Sequence, residues 1–387
     1  MPSKKVRKPK LSRKTAPKKS NGLESFILRE PDVKMFQVMD ANGKANEKLI
    51  PKELSREKIL KAYEWMVLGR LLDVKMLAMQ RTGRLYTFAT IYGQEASNVG
   101  SAMPLEKDDW LFPCFRETAA MLMRGIPVKQ ILQLWGGDER GHYFAPETNT
   151  FTTAIPVGTQ TLHGVGAAMA STIKKEKKAF IVYFGDGATS EGDTMEAINF
   201  AGAFKAPIVL FCQNNQWAIS FPRNKQTAAK TLAQKGLLGG VESIQVDGND
   251  FFAVYSATKY ALDKARSGKG PTFIESYTYR LGDHTTADDQ TKYRDSKEVS
   301  EWKKKDPIDR MRKYLTSKKW WSEKHEEALI EKLQAGIEQA VKEYEAIKPA
   351  DPDEIFNYTY EKPTPEIEEH RALLKEYLAN RKEAKGE

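Results

Sequence analysis

An apolar run, Ala179 to Phe184, ends in Gly185-Asp186-Gly187 and passes into a stretch of helical spacing that reaches about Lys205; a second apolar run, Ile208 to Cys212, leads into Asn214-Asn215. No other feature restricts the fold as much. A short apolar strand, a glycine turn and then a helix is the repeating step of a parallel sheet, because parallel neighbours need a crossover and the crossover is usually helical. Glycine at the carboxyl end of such a strand lets backbone approach an anion closely, and the following helix offers it unpaired N–H groups. Asp186 would repel the same anion. A divalent cation between carboxylate and phosphate removes the conflict, and a hard, oxygen-seeking ion such as magnesium suits carboxylate, amide and phosphate oxygens together. The second run can bring an Asn carbonyl to that ion. Alone, either fragment reads as an ordinary turn or loop; together, each after a strand, they read as a site. A dinucleotide fingerprint fits less well, since Ser190 stands where a third glycine is needed and an acid lies between the first two.

Other segments extend the alternation. Leu54 to Met79 repeats apolar residues at helical spacing, with Leu60, Met66-Val67 and Leu71-Leu72 on one side. Leu162 to Ile173 reads as a small-residue helix, and Ser243 to Val246 and Thr272 to Tyr277 as strands separated by a helix from Phe251 to Arg266. The pattern predicts an α/β fold, a doubly wound, mostly parallel sheet flanked by helices, with helical additions at both ends. Ligands of such sheets lie beyond the carboxyl ends of the strands, where Gly185 and Asn215 both fall. Pro307 to about Leu378 reads as helical and heavily charged, with breaks at Lys348 to Asp353 and Pro363 to Pro365. Three regions are expected: a disordered basic arm over residues 1–25, an α/β domain over 26–320 and a helical extension over 321–387.

With 387 residues, 40% of them hydrophobic, the chain can bury a substantial core. Its formal net charge of +9 invites a nucleic-acid reading, so the location of the charge matters. Residues 1–20 hold nine Lys or Arg and no acid, and the remainder balances at 52 basic against 52 acidic residues. The excess belongs to the arm. Its Pro2, Pro9 and Pro17 and its lack of an apolar period predict disorder and salt-sensitive contact with an acidic partner, with nucleic acid the lesser expectation. Cys114 and Cys212, both in apolar surroundings, argue against a disulfide framework and read as inert buried thiols in a reducing cytosol. No apolar stretch approaches the roughly 20 residues of a membrane span, and none near Met1 reads as a secretory signal. A cytoplasmic, bacterial protein with no membrane partner is expected.

Phe184-Gly185-Asp186-Gly187 through Glu191-Gly192-Asp193, followed by Gln213-Asn214-Asn215-Gln216-Trp217-Ala218-Ile219-Ser220, resembles the thiamine-diphosphate motif of the alpha subunit of heterotetrameric 2-oxo acid dehydrogenases. Tyr92-Gly93-Gln94-Glu95-Ala96, Phe115-Arg116-Glu117, Gly158-Thr159-Gln160, Val246-Asp247-Gly248-Asn249-Asp250 and Thr278 through Thr286 extend the resemblance from about residue 35 to 380. Asn199 through Pro207, Lys225-Gln226-Thr227 and Lys305-Asp306-Pro307 are most similar to the bacterial pyruvate dehydrogenase alpha subunits.

That resemblance implies roles position by position. Asp186, Asn215 and the backbone carbonyl of Trp217 match magnesium ligands, and Gly185, Gly187 and Ala188 match backbone that contacts the cofactor's diphosphate. Arg116 matches a phosphate-binding arginine, a role that suits a planar guanidinium; Phe115 stands where relatives often carry tyrosine. Val157 matches the apolar residue that holds the cofactor bent. His284 matches a histidine that handles substrate and lipoyl group, although without the resemblance a loop histidine more often reads as solvated; Asp283 beside it is expected to raise its proton affinity. His142 matches a second pocket histidine, in surroundings that depart from the family pattern. Arg280 is placed against the cofactor and, with Tyr293 and Arg294, anchors the His284 loop. Thr159 and Gln160 match positions that bind a potassium ion in some relatives, and Thr285 one where some eukaryotic relatives carry a regulatory phosphoserine.

The function implied is oxidative decarboxylation of a small 2-oxo acid, with thiamine diphosphate and magnesium as cofactors and reductive acylation of a lipoyl group on an acyltransferase core. Pyruvate leads. A branched-chain 2-oxo acid or acetoin is the alternative, because His284 through Asp289 also resembles the branched-chain enzymes. In the family a beta subunit supplies the glutamate that activates the cofactor, so an α2β2 assembly is implied. A nucleic-acid-binding protein and a regulatory subunit without turnover are the competing readings.

Overall fold

Six strands, all paired in parallel, answer the alternation read from the sequence. The computed structural model describes residues 33–153 and 155–385, with side chains as far as residue 381. The strands are β1 (Met35–Phe36), β2 (Trp110–Phe112), β3 (Phe180–Gly185), β4 (Ile208–Asn214), β7 (Glu242–Asp247) and β8 (Thr272–Tyr277), in the spatial order β1-β7-β8-β4-β3-β2. A separate antiparallel hairpin pairs β5 (Trp217–Ala218) with β6 (Phe221–Pro222).

The alternation of side chains decides which helices cover which face. Ile181, Tyr183, Val209 and Phe211 join one apolar cluster, packed with the helices Arg56–Arg81 and Phe251–Arg266. Their neighbours Phe180, Val182, Phe184, Ile208 and Leu210 join a second cluster, with the helices Thr159–Ile173 and Gly192–Ala203. The sheet is therefore covered on both faces. Asp250 ties one edge to a helix: Oδ1 accepts from the backbone N–H groups of Phe252 and Ala253 at the helix start, and Oδ2 from those of Val38 and Met39 beyond β1.

Register then places the site. β3 pairs with β4 from Phe180–Ile208 to Gly185–Gln213, and β4 with β8 from Val209–Thr272 to Asn214–Tyr277. The carboxyl ends of the three strands share one edge, so the loops after Gly185, Asn214 and Tyr277 leave the sheet side by side.

Two local expectations change. The helix predicted directly after Asp186 is interrupted: a 3-10 turn, Gly187–Ser190, precedes a regular helix that begins at Gly192. Thr189 Oγ1 donates to the Asp186 carbonyl at 2.7 Å, and Lys235 Nζ to the Thr189 carbonyl at 2.6 Å, which closes the tighter turn. The charged carboxyl-terminal stretch divides into Pro307–Ser317, Glu323–Glu345, Glu354–Asn357 and Pro365–Lys385, with a break after Ser317 where Lys319 has φ +59°. Leu329, Leu333, Ile337 and Val341, four apart on Glu323–Glu345, enter the same cluster as Arg56–Arg81. Glu326 accepts hydrogen bonds there from Tyr63, Arg312 and Trp321. Cys114 and Cys212 are buried and free. Among the described residues no helix is long and apolar enough to cross a membrane. The basic arm expected over residues 1–25 lies outside the described residues.

Candidate active site

The loop after β3 presents Asp186, 1% exposed. Burial pushes its carboxyl up to about 6, against the pull of the Gln226 amide, whose Nε2 donates to Oδ2 at 2.8 Å. The loop after β4 presents Asn215, whose Oδ1 accepts from the Trp217 backbone N–H at 3.2 Å and whose Nδ2 donates to Gln94 Oε1 at 3.2 Å. The Trp217 carbonyl accepts from Arg280 Nη1 at 3.3 Å. Arg280 also donates to the Ile219 carbonyl at 2.8 Å and to the Tyr293 hydroxyl at 2.9 Å. These bonds hold a hairpin that enters at Gln216 with φ +74° and turns at Ile219 with φ +55°, left-handed values uncommon for such residues and frequent near functional sites. A Cβ at position 187 would stand 2.8 Å from the Ala218 methyl, so only glycine lets the hairpin lie over the turn. Asp186, Asn215 and Trp217 all line one cleft of about 380 Å³.

Phe115, Arg116, Val157, Gly185, Gly187, Ala188 and His284 line the same cleft. Arg116, 5% exposed, donates through Nη1 to the Thr90 carbonyl at 2.6 Å and through Nη2 to the His284 carbonyl at 2.9 Å. The Phe115 ring meets His284 edge-on, centroids 6.4 Å apart. His284 Nδ1 lies 3.3 Å from both Arg116 Nη2 and Arg280 Nη1. A guanidinium has no acceptor, so Nδ1 accepts and the neutral ring carries its proton on Nε2. Burial, then Arg116, then Arg280 push the imidazole down to about 4.

This overturns the expectation for Asp283. Its Oδ1 is occupied by the Gln290 N–H at 2.9 Å, and the two guanidiniums set the charge felt by the ring. The acid that steadies the loop is Asp288, which accepts from the His284 N–H at 2.9 Å and from the Tyr293 hydroxyl. Arg294 donates to the carbonyls of Arg280 and Gly282, so Arg280, Tyr293 and Arg294 do anchor the loop.

Other expected residues stand apart from the cleft wall. His142 Nδ1 is 2.8 Å from Thr152 Oγ1, and the residue is not among those lining the cleft. Arg280 is buried behind the wall and acts through the carbonyls it grips. Thr159 opens its helix; Gln160 Nε2 donates to the Tyr183 carbonyl at 2.7 Å, while its Oε1 has no hydrogen-bond partner among the described residues.

Four polar residues received no role from sequence. Glu117, 1% exposed and pushed up to about 7 by burial, accepts through Oε2 from the Cys114 and Arg116 N–H groups at 2.8 and 3.0 Å, which brackets the turn that carries Phe115 and Arg116. Gln213 donates to Glu117 and accepts from Asn98 Nδ2 at 3.0 Å. Gln94 meets Asn215, and Gln226 meets Asp186. The signal available was their position within or beside the quoted motifs; the side-chain partners Glu117–Gln213, Gln213–Asn98, Gln94–Asn215 and Gln226–Asp186 lie far apart in the chain.

Comparison with known proteins accords with this arrangement. Residues 63–353 match the family model described as the dehydrogenase E1 component. The chain is 44% identical over 342 residues to a pyruvate dehydrogenase E1 component subunit alpha from Acholeplasma laidlawii, covering 88% of this chain and 99% of that protein. It is 42% identical over 344 residues to the subunit of the same description from Staphylococcus aureus strain Mu50, covering 88% and 93%. Identity is again 42%, over 359 residues, to a 3-methyl-2-oxobutanoate dehydrogenase subunit alpha from Mycobacterium tuberculosis strain CDC 1551, covering 92% and 97%. Matched across most of its length and against nearly whole relatives, the chain belongs to the dehydrogenase E1 component family, as an alpha-type subunit of a thiamine-diphosphate-dependent 2-oxo acid dehydrogenase.

Proposed function

We propose that this chain, paired with a beta subunit in an α2β2 assembly, catalyses oxidative decarboxylation of pyruvate and passes the acetyl group to the lipoyl group of an acyltransferase core. One observation carries the reading. Asp186, a buried carboxylate, stands with an amide oxygen and a backbone carbonyl in the wall of a cleft that Arg116 and the buried Glu117 also line.

Thiamine diphosphate with magnesium fits that donor set. Among the described residues no three His, Cys, Asp or Glu side chains converge to hold a metal. A divalent ion held by one carboxylate and two neutral oxygens keeps net positive charge for a diphosphate, and all three donors are hard oxygens of the kind magnesium takes. The raised Asp186 carboxyl is a charge that a cation would stabilise. Asp186, Asn215 and the Trp217 carbonyl would hold the metal. Arg116 would offer its charge and a remaining N–H to a phosphate oxygen beside the backbone of Gly185, Gly187 and Ala188. Gln160 Oε1 and Thr159 are suited to a potassium ion.

When bound, thiamine diphosphate supplies the carbon nucleophile and electron sink that decarboxylation requires. The protein's residues orient and shield. His284 stays uncharged at neutral pH because burial, and then Arg116 and Arg280, oppose its protonation, so its Nε2–H is a hydrogen-bond donor for a substrate oxygen. Val157 and Phe115 supply apolar wall. Ile155, Val157 and Ile219 are 62%, 47% and 58% exposed around the cleft, an apolar rim that supports a covering partner chain.

The names of two relatives and the Asn199–Pro207 and Lys225–Thr227 runs support pyruvate; the 3-methyl-2-oxobutanoate relative supports a branched-chain 2-oxo acid as the second reading. Pocket discrimination between small apolar groups is worth about 1–3 kcal/mol. The reconstituted pair should therefore favour pyruvate over 3-methyl-2-oxobutanoate by at least about tenfold in kcat/KM. A preference in the opposite direction would overturn the choice of pyruvate.

A further inference from the structure

We infer that Gln226 is a positioning residue for the metal-binding carboxylate, its side-chain amide fixing Asp186 so that Oδ1 is the oxygen left to the cation, an inference that rests on reading Asp186 as a magnesium ligand. Gln226 Nε2 donates to Asp186 Oδ2 at 2.8 Å and to the Phe221 carbonyl at 3.3 Å. Forty residues separate the pair, and the contact exists because the chain after β4 folds back on itself. Trp217 pairs with Pro222, a single helical turn Arg223–Gln226 follows, and the Arg223 N–H closes onto the Gln216 carbonyl at 2.9 Å. Arg223 Nη2 then donates to the Ala229 carbonyl at 2.6 Å, which holds the far end of the turn.

One segment thus does two things. It carries the Trp217 carbonyl, and it carries the amide that sets the rotation of the Asp186 carboxylate. An ion with tight octahedral demands is served poorly by a carboxylate free to rotate between one-oxygen and two-oxygen binding. A donor fixed on Oδ2 removes that freedom before the metal arrives. Hydrogen-bond partners behind metal ligands typically contribute 10–100-fold to metal affinity in this way. The amide is also uncharged, so it orients the carboxylate without competing for the cation's place, as a lysine would.

The test uses the α2β2 assembly with thiamine diphosphate, titrated with magnesium and read by quenching of tryptophan fluorescence. Gln226→Met keeps the approximate length and removes the donor; Gln226→Ala removes donor and bulk. Both variants should raise the half-saturating magnesium concentration by about tenfold or more. At saturating magnesium kcat should recover to within about twofold of wild type, and far-ultraviolet circular dichroism of the cofactor-free assembly should match wild type, which shows both variants folded. Unchanged magnesium dependence in both variants, or a loss of kcat that excess magnesium does not restore, would overturn the role of Gln226. A wild type that binds the cofactor equally well without magnesium would instead overturn the metal reading of Asp186.

Discussion

His284 faces Arg116 and Arg280, each with a guanidinium nitrogen 3.3 Å from Nδ1, and it is half-buried among them. Its folded value of about 4 lies below the ordinary 6.5, so between those limits the folded ring is neutral while the unfolded ring takes a proton. Acid therefore favours the unfolded state across that window, and the folded ring remains a neutral donor down to about pH 4. In the cofactor-free assembly, carbethoxylation of His284 by diethyl pyrocarbonate, followed by mass spectrometry, should hold its rate from pH 7 to about 5 and then fall. Arg280→Met should move that fall to higher pH. A midpoint for wild type at or above the ordinary histidine value would show that the arginines do not govern the ring. The sequence made the histidine visible and misjudged its neighbours. Asp283 is adjacent in the chain, but the groups that reach the ring come from residue 116 and from residue 280, one turn of loop away. Asp186 and Asn215 were legible for the opposite reason, because a carboxylate between glycines at a strand end is informative without knowledge of any distant partner.

At the scale of elements, legibility followed length and burial. β3, β4 and β8 are six or seven residues long and almost wholly buried, and such runs stand out as apolar blocks between turns. β1 and β2 have two and three residues, too few to form a pattern; pairing with β7 and β3 makes them strands. The β5–β6 hairpin was also hidden, since Gln216 and Ile219 do not advertise left-handed backbone. Its geometry depends on Arg280 and on the missing side chain at Gly187, both remote in sequence. The helix Glu323–Glu345 was legible as a helix, while its seat against Arg56–Arg81 was not. Ile337 is 3% exposed in that seat, and Ile337→Ala should destabilise the protein by roughly 2–5 kcal/mol. Denaturant unfolding of the assembly would measure it. A change below about 0.5 kcal/mol, the range of ordinary surface substitutions, would mean the helix is not part of the cooperative core.

At the scale of the whole molecule, sheet and cleft explain why a chain of this kind works with a partner. The carboxyl edge of β3, β4 and β8 gathers the groups suited to a cation and a diphosphate along one wall, whereas the rim at Ile155, Val157 and Ile219 stays apolar and open. Alternating apolar runs were enough to read the doubly wound sheet, because burial on both faces is written into composition. The polar scaffold behind the site, Glu117 with Gln213 and Asn98, and Gln226 with Asp186, was not readable, because each bond joins segments that only the completed sheet brings together. The most direct measurement is thiamine diphosphate binding by the chain paired with its beta subunit, as magnesium is titrated, with Asp186→Ala alongside. Saturable binding that needs both magnesium and partner is expected, weakened in Asp186→Ala by more than the roughly 10–100-fold that loss of an outer hydrogen-bond partner costs. Wild-type affinity in Asp186→Ala, or equal binding in the presence of a chelator, would contradict it.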